Sequence, residues 1–138
     1  MCRFLVYSGQ PLLLEELVVR PSNSLIEQSL YAKKREKPVN GDGFGLGWYP
    51  LHDDPEPGTF VSVNPAWSNR NLLQLTKKVL SHHFFAHVRD ASSGMSVAQA
   101  NCHPFQYKNF LWMHNGNLHQ FTKVQRPLLS SLSNEAFS

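Results

Sequence analysis

The sequence has few of the features that mark secreted, membrane or metal-binding proteins. Only two of its 138 residues are cysteines, Cys2 and Cys102, which is too few for the disulfide framework of a small secreted domain. No apolar run approaches the ~20 residues of a membrane span, and the N-terminus lacks the apolar stretch of a signal peptide. Neither Cys-x-x-Cys nor His-Glu-x-x-His occurs. These absences favour a protein of the reducing cytoplasm that does not bind membranes.

Charge is also sparse, which bears on the class of partner. Charged residues make up 17% of the chain and the formal net charge is +3. The basic run Lys33-Lys34-Arg35-Glu36-Lys37 is interpreted as a solvated loop, because a nucleic-acid-binding surface needs a broader basic face. An apolar content of 41% and a mean hydropathy of -0.34 fit one globular domain at this length.

Local patterns predict a mixture of strands and helices. Ser24 begins a capping box, four glycines alternate with larger residues over 41–47, and Asn115-Gly116 is a strong turn signal. The glycines match no nucleotide-binding loop and favour a strand approached closely by another backbone, or by a ligand. Residues 133–138 resemble the beginning of an element, so the chain is expected to be a fragment or a natural short form. Strands are predicted over 2–7, 44–48, 59–63, 80–89 and 110–114, and helices over 12–18, from 24, from 68 or 69 to about 79, and over 124–132.

Cys2 is the first candidate for chemistry. Removal of Met1 would give Cys2 a free α-amine with a pKa near ~8. That amine can accept the thiol proton, so one residue would supply both nucleophile and base. The alternative is that Cys2 is a small buried apolar residue at the start of a strand.

Asn115, Gly116 and Arg89 could complete such a site. An Asn amide beside a Gly backbone N–H can stabilise the oxyanion that forms when a thiolate attacks an amide carbonyl. The planar guanidinium of Arg89 suits a substrate carboxylate. The alternatives are that Asn115-Gly116 is only a hairpin turn and that Arg89 is a surface cation.

The seven histidines raise the competing hypothesis of a metal-binding protein. His83 and His87 share one face of a predicted strand, and His103, His114 and His119 follow, but only Cys102-His103 has close ligand spacing. We therefore expect most histidines to be partly buried hydrogen-bonding residues, with no metal and no other cofactor.

In combination, several segments resemble the glutaminase domain of class II glutamine amidotransferases, which are N-terminal nucleophile hydrolases. They occur in family order, and the likeness is strongest to the small stand-alone branch. The matching segments are Met1-Cys2-Arg3, Gly41-Asp42-Gly43-Phe44-Gly45-Leu46-Gly47-Trp48, Ala86-His87-Val88-Arg89, Asn101-Cys102-His103-Pro104-Phe105 and His114-Asn115-Gly116.

This resemblance implies an α+β fold, the αββα four-layer sandwich, with residues 1–138 forming a partial domain that contains only its N-terminal half. It implies that Cys2 attacks the substrate and that Asn115 and Gly116 form the oxyanion hole. Arg89 would hold the substrate α-carboxylate, with Ser92 and His114 as further substrate-binding residues. His87 and His103 are expected to support the scaffold. The family's acidic residue for the substrate α-amino group has no counterpart before residue 138.

The function expected from the resemblance is hydrolysis of the γ-amide of glutamine or a γ-glutamyl compound through a thioester on Cys2. The expected partners are that small molecule and a protein that accepts ammonia or completes the fold. The alternative is a non-catalytic truncated form or interaction subunit of the same fold, and a His-rich metal-binding protein is a minor alternative.

Overall fold

The computed structural model describes residues 2–31, 40–91, 96–116 and 118–137. Its elements are the strands β1 (Arg3–Leu13), β2 (Phe44–Trp48), β3 (Gly58–Ser62), β4 (Leu80–Val88), β5 (Phe105–Tyr107) and β6 (Phe110–Trp112), and the helices α1 (Glu15–Val18), α2 (Leu25–Leu30), α3 (Arg70–Thr76), α4 (Phe121–Ser130) and α5 (Asn134–Phe137).

Four strands form one antiparallel sheet in the order β1-β4-β2-β3, and β5 and β6 form a separate hairpin. The long strand β4 is central and pairs with both β1 and β2. His87 lies opposite Phe4 on one side and opposite Gly45 on the other. Directly opposite residues project from the same face of a sheet, so these three positions share one face.

The opposite face of the sheet carries the core. Alternate residues of β2 and β4 point to this face, as period-2 geometry requires, and α1, α2 and α3 supply the apolar side chains that cover it. The buried cluster contains Phe44, Leu46, Phe84, Ala86 and Val88 from the strands, and Leu14, Val18, Leu25, Ala66 and Leu72 from the helices and their flanking residues.

Glycines on the other face allow the hairpin to approach β2. A Cβ on Gly45 would overlap the backbone carbonyl of His103, and a Cβ on Gly47 would lie 2.7 Å from both Pro104 and Leu111. The Tyr49 hydroxyl connects the layers further, since it donates to the Asn109 carbonyl at 3.0 Å. Of the two explanations for the alternating glycines, close packing by another backbone is therefore confirmed.

Helix N-termini follow the predicted capping residues. The Ser24 hydroxyl accepts a hydrogen bond from the Glu27 backbone N–H at 3.2 Å, and the Asn69 side chain accepts one from Leu72 at 2.9 Å. Such bonds satisfy donors that the first helical turn leaves open. The helix that begins after Asn69 ends at Thr76, which is earlier than predicted.

Several other sequence-based boundaries were wrong. Strand β1 continues past Ser8-Gly9 to Leu13, because an irregularity between Ser8 and Leu12 restores its pairing with β4. That extension delays the start of α1 to Glu15. The predicted long loop after β4 ends in strand β5, so the hairpin turn lies at Lys108-Asn109, not at Asn115-Gly116.

The first strand also exposes apolar side chains. Leu5 and Tyr7 pack against the core, whereas Phe4 and Val6 on the other face are 52% and 53% exposed. All described residues of α4 are exposed as well. Within the described ranges, none of the helices combines the length and hydropathy needed to cross a bilayer.

Substitution of Gly45 tests the close contact between the hairpin and β2. We expect Gly45→Ala to lower the free energy of unfolding by about 1–3 kcal/mol, because overpacking against a backbone carbonyl forces one layer to move. Gly116→Ala is the matched control, since nothing lies within 4 Å of its Cβ position. Urea denaturation of both variants provides the measurement, and equal stabilities would contradict the packing argument.

Candidate active site

Cys2 lies at the edge of the sheet beside the chain that leaves β4. Arg3 pairs with Val88, so the register places Cys2 next to residues 89 and 90. The thiol donates to the Asp90 carbonyl at 3.6 Å, and the Asp90 N–H points to Sγ at 3.5 Å. The side chain is partly exposed. The sulfur is therefore held in place by backbone groups while one side stays accessible.

Asn115 reaches the same edge from the far end of the chain. Its side-chain Nδ2 donates to the Cys2 carbonyl at 3.0 Å, across 113 positions of sequence. An Asn amide has two N–H donors, so one N–H bonds to Cys2 and the other is left for a second acceptor. Gly116 has open space around it. The structure brings Asn115 into contact with Cys2, and Gly116 directly follows Asn115 in the chain.

The pairing of β1 with β4 places Arg89 beside Cys2. Arg89 is buried, with 4% of its surface exposed. Its Nη2 donates to the Ser96 carbonyl at 3.0 Å, and its Nη1 donates to the Asp42 carbonyl at 3.4 Å. Arg89 is therefore not a surface cation. A guanidinium has five N–H donors, so these two bonds leave further donors for a carboxylate.

Asp42 is a contributor that the sequence did not point out. Its carboxylate accepts the Ala91 N–H at 2.8 Å, and its backbone N–H donates to the Arg89 carbonyl at 3.2 Å. Asp42 thus holds both sides of the chain segment that contacts the Cys2 sulfur. Its place between two glycines was the only available signal, and that signal does not identify a partner.

The two remaining predicted residues are placed differently. Ser92 lies outside the described residues. His114 is exposed, and its ring lies 4.7 Å from the ring of His103 and 6.4 Å from that of Trp112. Its contact with substrate stays a prediction.

Two buried histidines, His87 and His103, lie next to this site. His103 Nδ1 and His87 Nε2 are 3.2 Å apart, and the two residues expose 6% and 1% of their surface. Burial, with the neighbouring His103, lowers the pKa of His87 to about 3. Burial, with His114 and Arg89, lowers the pKa of His103 to about 4. Both rings are therefore neutral at neutral pH.

The second cysteine is part of the packing. Cys102 is buried, its thiol donates to the Ser62 carbonyl at 3.4 Å, and its Sγ lies 2.7 Å from the position that a Cβ on Gly43 would occupy. Burial raises the pKa of this thiol, which disfavours the reactive thiolate. Among the described residues, no three side chains of His, Cys, Asp or Glu converge to hold a metal ion.

The sequence matches the family model of class II glutamine amidotransferases over residues 17–135. The chain belongs to this family. The matched segment begins after Cys2, so the role of Cys2 depends on the site geometry described above.

Individual relatives agree with this assignment. The probable glutamine amidotransferase DUG3 of Saccharomyces cerevisiae is 42% identical over 142 residues, covering 98% of this chain and 40% of DUG3. A γ-glutamyl-hercynylcysteine sulfoxide hydrolase of Mycobacterium tuberculosis is 30% identical over 138 residues, covering 99% of this chain and 58% of the hydrolase.

A solved structure agrees as well. A glutamine aminotransferase class-II domain protein from Silicibacter pomeroyi superimposes with a TM-score of 0.64 at 26% identity, covering 99% of this chain and 46% of that one. The predicted α+β fold of the amidotransferase type is thereby confirmed. The chain spans 40% and 58% of the lengths of the two curated relatives and 46% of the solved structure.

The buried histidines predict how stability depends on pH. The folded protein keeps them neutral down to about pH 4 for His103 and about pH 3 for His87, whereas the unfolded chain protonates them below ~6.5. The unfolded state then binds more protons, so the free energy of unfolding should fall as pH drops from about 6.5 to 4. Each histidine contributes up to about 1.4 kcal/mol per pH unit, and above pH 7 this effect is absent.

Urea denaturation at several pH values measures this dependence. The matched comparison is the double variant His87→Asn, His103→Asn, in which carboxylates still titrate but the two imidazoles do not. Its stability should decline less steeply below pH 6.5, and an unchanged slope would contradict the assignment.

Proposed function

We propose that this chain carries the nucleophile and oxyanion-binding part of a cysteine amidohydrolase acting on the γ-amide of glutamine or of a γ-glutamyl compound. The observation that supports it best is the 3.0 Å contact from Asn115 to Cys2. It joins a nucleophile and an oxyanion donor that are separated by nearly the whole sequence. The printed names of the two curated relatives, an amidotransferase and a γ-glutamyl hydrolase, agree with this substrate class.

The proposed reaction has two stages. After Met1 is removed, the Cys2 α-amine accepts the thiol proton, and the thiolate attacks the γ-carbonyl carbon. The oxyanion is stabilised by the Asn115 amide and the Gly116 N–H. The intermediate collapses to a thioester as the leaving amine takes the proton from the α-ammonium group. The α-amine then accepts a proton from water, hydroxide attacks the thioester, and the acid is released as Cys2 recovers its proton.

Substrate orientation would come from Arg89. A substrate α-carboxylate would accept hydrogen bonds from guanidinium N–H groups that the two carbonyl contacts do not use, and a hydrogen bond between two charged groups is stronger than one to a neutral carbonyl. Ser92 and His114 are proposed as additional substrate contacts.

Both cysteines are free, which is consistent with a reducing compartment, and we propose the cytoplasm.

Modification and substitution of Cys2 test the catalytic proposal. We expect the processed protein to be labelled at Cys2 by a glutamine-analogue electrophile, and Cys2→Ala to abolish both labelling and hydrolysis. Cys102→Ala is the matched control, because Cys102 is buried and makes no contact with Cys2; it should keep labelling. Intact-mass and peptide mass spectrometry measure Met1 removal and the labelled residue. Hydrolysis by Cys2→Ala at the wild-type rate would exclude the proposal.

A second feature concerns the exposed apolar face beside the site. Phe4 and Val6 lie on the same face as His87, and both are more than half exposed. The relatives contain further sequence beyond the part that this chain matches. We propose that polypeptide equivalent to the C-terminal part of an amidotransferase domain covers this face in the active form. Without it, the chain would act as the non-catalytic form.

Complementation tests this part of the proposal. The full chain is mixed with the C-terminal part of DUG3 that this chain does not match, and glutamine hydrolysis is measured. We expect activity to rise on mixing, and Val6→Asp to prevent the rise because a buried unpaired carboxylate is costly. Leu51→Asp is the matched control, at a similarly exposed apolar residue outside the sheet. A rise that Val6→Asp leaves intact would show that this face is not the contact surface.

A further inference from the structure

The hydrogen bond between His87 and His103 connects the two layers of the fold behind the site. His87 belongs to the central strand β4, and His103 lies just before β5. Since both rings are neutral, the bond forms only if one nitrogen carries a proton and the other does not. The bond therefore fixes the tautomer of each ring as well as its orientation.

This pair is incompletely satisfied. Two neutral imidazoles have two N–H groups, and only one lies in the shared bond. The other N–H is on His87 Nδ1 or His103 Nε2, and neither atom has a partner at hydrogen-bond geometry among the described residues. The His114 backbone nevertheless comes close enough to the His87 ring to act upward on its pKa, so a weak direct contact also joins His87 to the segment 114–116. Unmade hydrogen bonds in a buried place cost free energy that two apolar side chains would not. Stability alone does not account for histidine at both positions.

The pair instead controls the position of the His114 ring. The His103 ring packs edge-on against His114 with 4.7 Å between centroids, and against Phe105 at 4.4 Å. His114 directly precedes Asn115, whose amide reaches the Cys2 carbonyl. A chain of contacts thus runs from β4 through His103 to the oxyanion donors.

Strand β4 also places the nucleophile, because its continuation at Asp90 contacts the Cys2 sulfur. Strand β4 therefore influences the distance between the Cys2 sulfur and the donors of Asn115 and Gly116 in two ways. It contacts the sulfur through Asp90, and it contacts the His114 ring through the pair of His87 and His103. The segment from Met113 to Gly116 forms no strand or helix, so no backbone ladder fixes it. The His103 ring provides support that secondary structure does not.

We infer that His103, oriented by its hydrogen bond to His87, is a positioning residue that holds the segment 114–116 with its donors facing Cys2. This inference rests on the proposed function for its kinetic consequence only. Its structural consequence concerns the Asn115 amide and can be measured in a protein with no activity.

The kinetic experiment uses the processed full chain, complemented as above if hydrolysis requires it. His103→Leu removes the hydrogen bond at similar volume, and we expect kcat to fall by about 100-fold, the loss typical of a misplaced reacting group. KM should change little, because the oxyanion donors act mainly in the transition state. His103→Asn, which can restore a polar contact to His87, should recover most of kcat. His52→Leu, at an exposed loop histidine, is the matched control.

The structural experiment is nuclear magnetic resonance of side-chain amides, with the Asn115 signal assigned by its loss in Asn115→Ala. In the wild type and in His52→Leu, this amide should show the shift and slow exchange of a hydrogen-bonded group. In folded His103→Leu it should resemble a solvent-exposed amide, and His103→Asn should restore it. If the complemented wild type hydrolyses nothing, the proposed function fails while this measurement still tests the positioning role.

Folding is checked by the dispersion of the same spectra. If His103→Leu does not fold, His103→Gln replaces it, since the longer side chain keeps a buried amide but displaces the atom facing His87. We then expect a smaller loss of kcat and a shifted Asn115 signal. Either folded variant with an unchanged Asn115 amide overturns the inference, as does an active variant with wild-type kcat.

Discussion

The approach of the His103-Pro104 backbone to the glycine face of β2 determines the arrangement of the site. Gly45 and Gly47 place no side chain of β2 toward the hairpin, so the His103 backbone and the Pro104 and Leu111 side chains lie directly on the strand. That contact places the His103 ring over β4, where it meets His87. The chain after β6 then runs back to the sheet edge where Cys2 lies. A side chain at either glycine would separate the layers and, with them, Asn115 from Cys2.

The register of β4 is the second constraint. His87 faces the hairpin layer, whereas Ala86 and Val88 face the helices. A slip of one residue would exchange these faces, placing an imidazole in the apolar core and removing the support for His103. The buried apolar residues of β4 hold the register, because exposing Phe84, Ala86 and Val88 together would lose most of the core on this strand. Packing on one face of the sheet thus fixes the position of His87 on the other face.

Local signals in the sequence predicted the features that depend on neighbouring residues. The Ser24 and Asn69 caps, the alternating strand β2 and most of β4 are of this kind. The extent of β1 was underestimated because its continuation past Gly9 depends on pairing with β4, about 70 positions away. The contacts of Asp42 with Ala91 and of Asn115 with Cys2 are equally non-local. A common site for Asn115 and Cys2 was one of two alternatives on residue chemistry alone, and the family resemblance favoured it.

The charge around Arg89 connects the scaffold to the proposed substrate binding. Its guanidinium is buried, and with His103 and His114 nearby it helps to lower the pKa of the buried histidines. Burial is the main reason that the two imidazoles bond to each other as neutral rings, and the nearby cation disfavours their protonation further. Arg89 then has only carbonyl dipoles opposite it among its described hydrogen bonds. A buried cation balanced by dipoles alone attracts a negative ligand more strongly than a salt-bridged one, because no competing carboxylate has to be displaced. Burial, which keeps the histidine pair neutral, also reduces the solvent screening of the proposed attraction between Arg89 and a carboxylate.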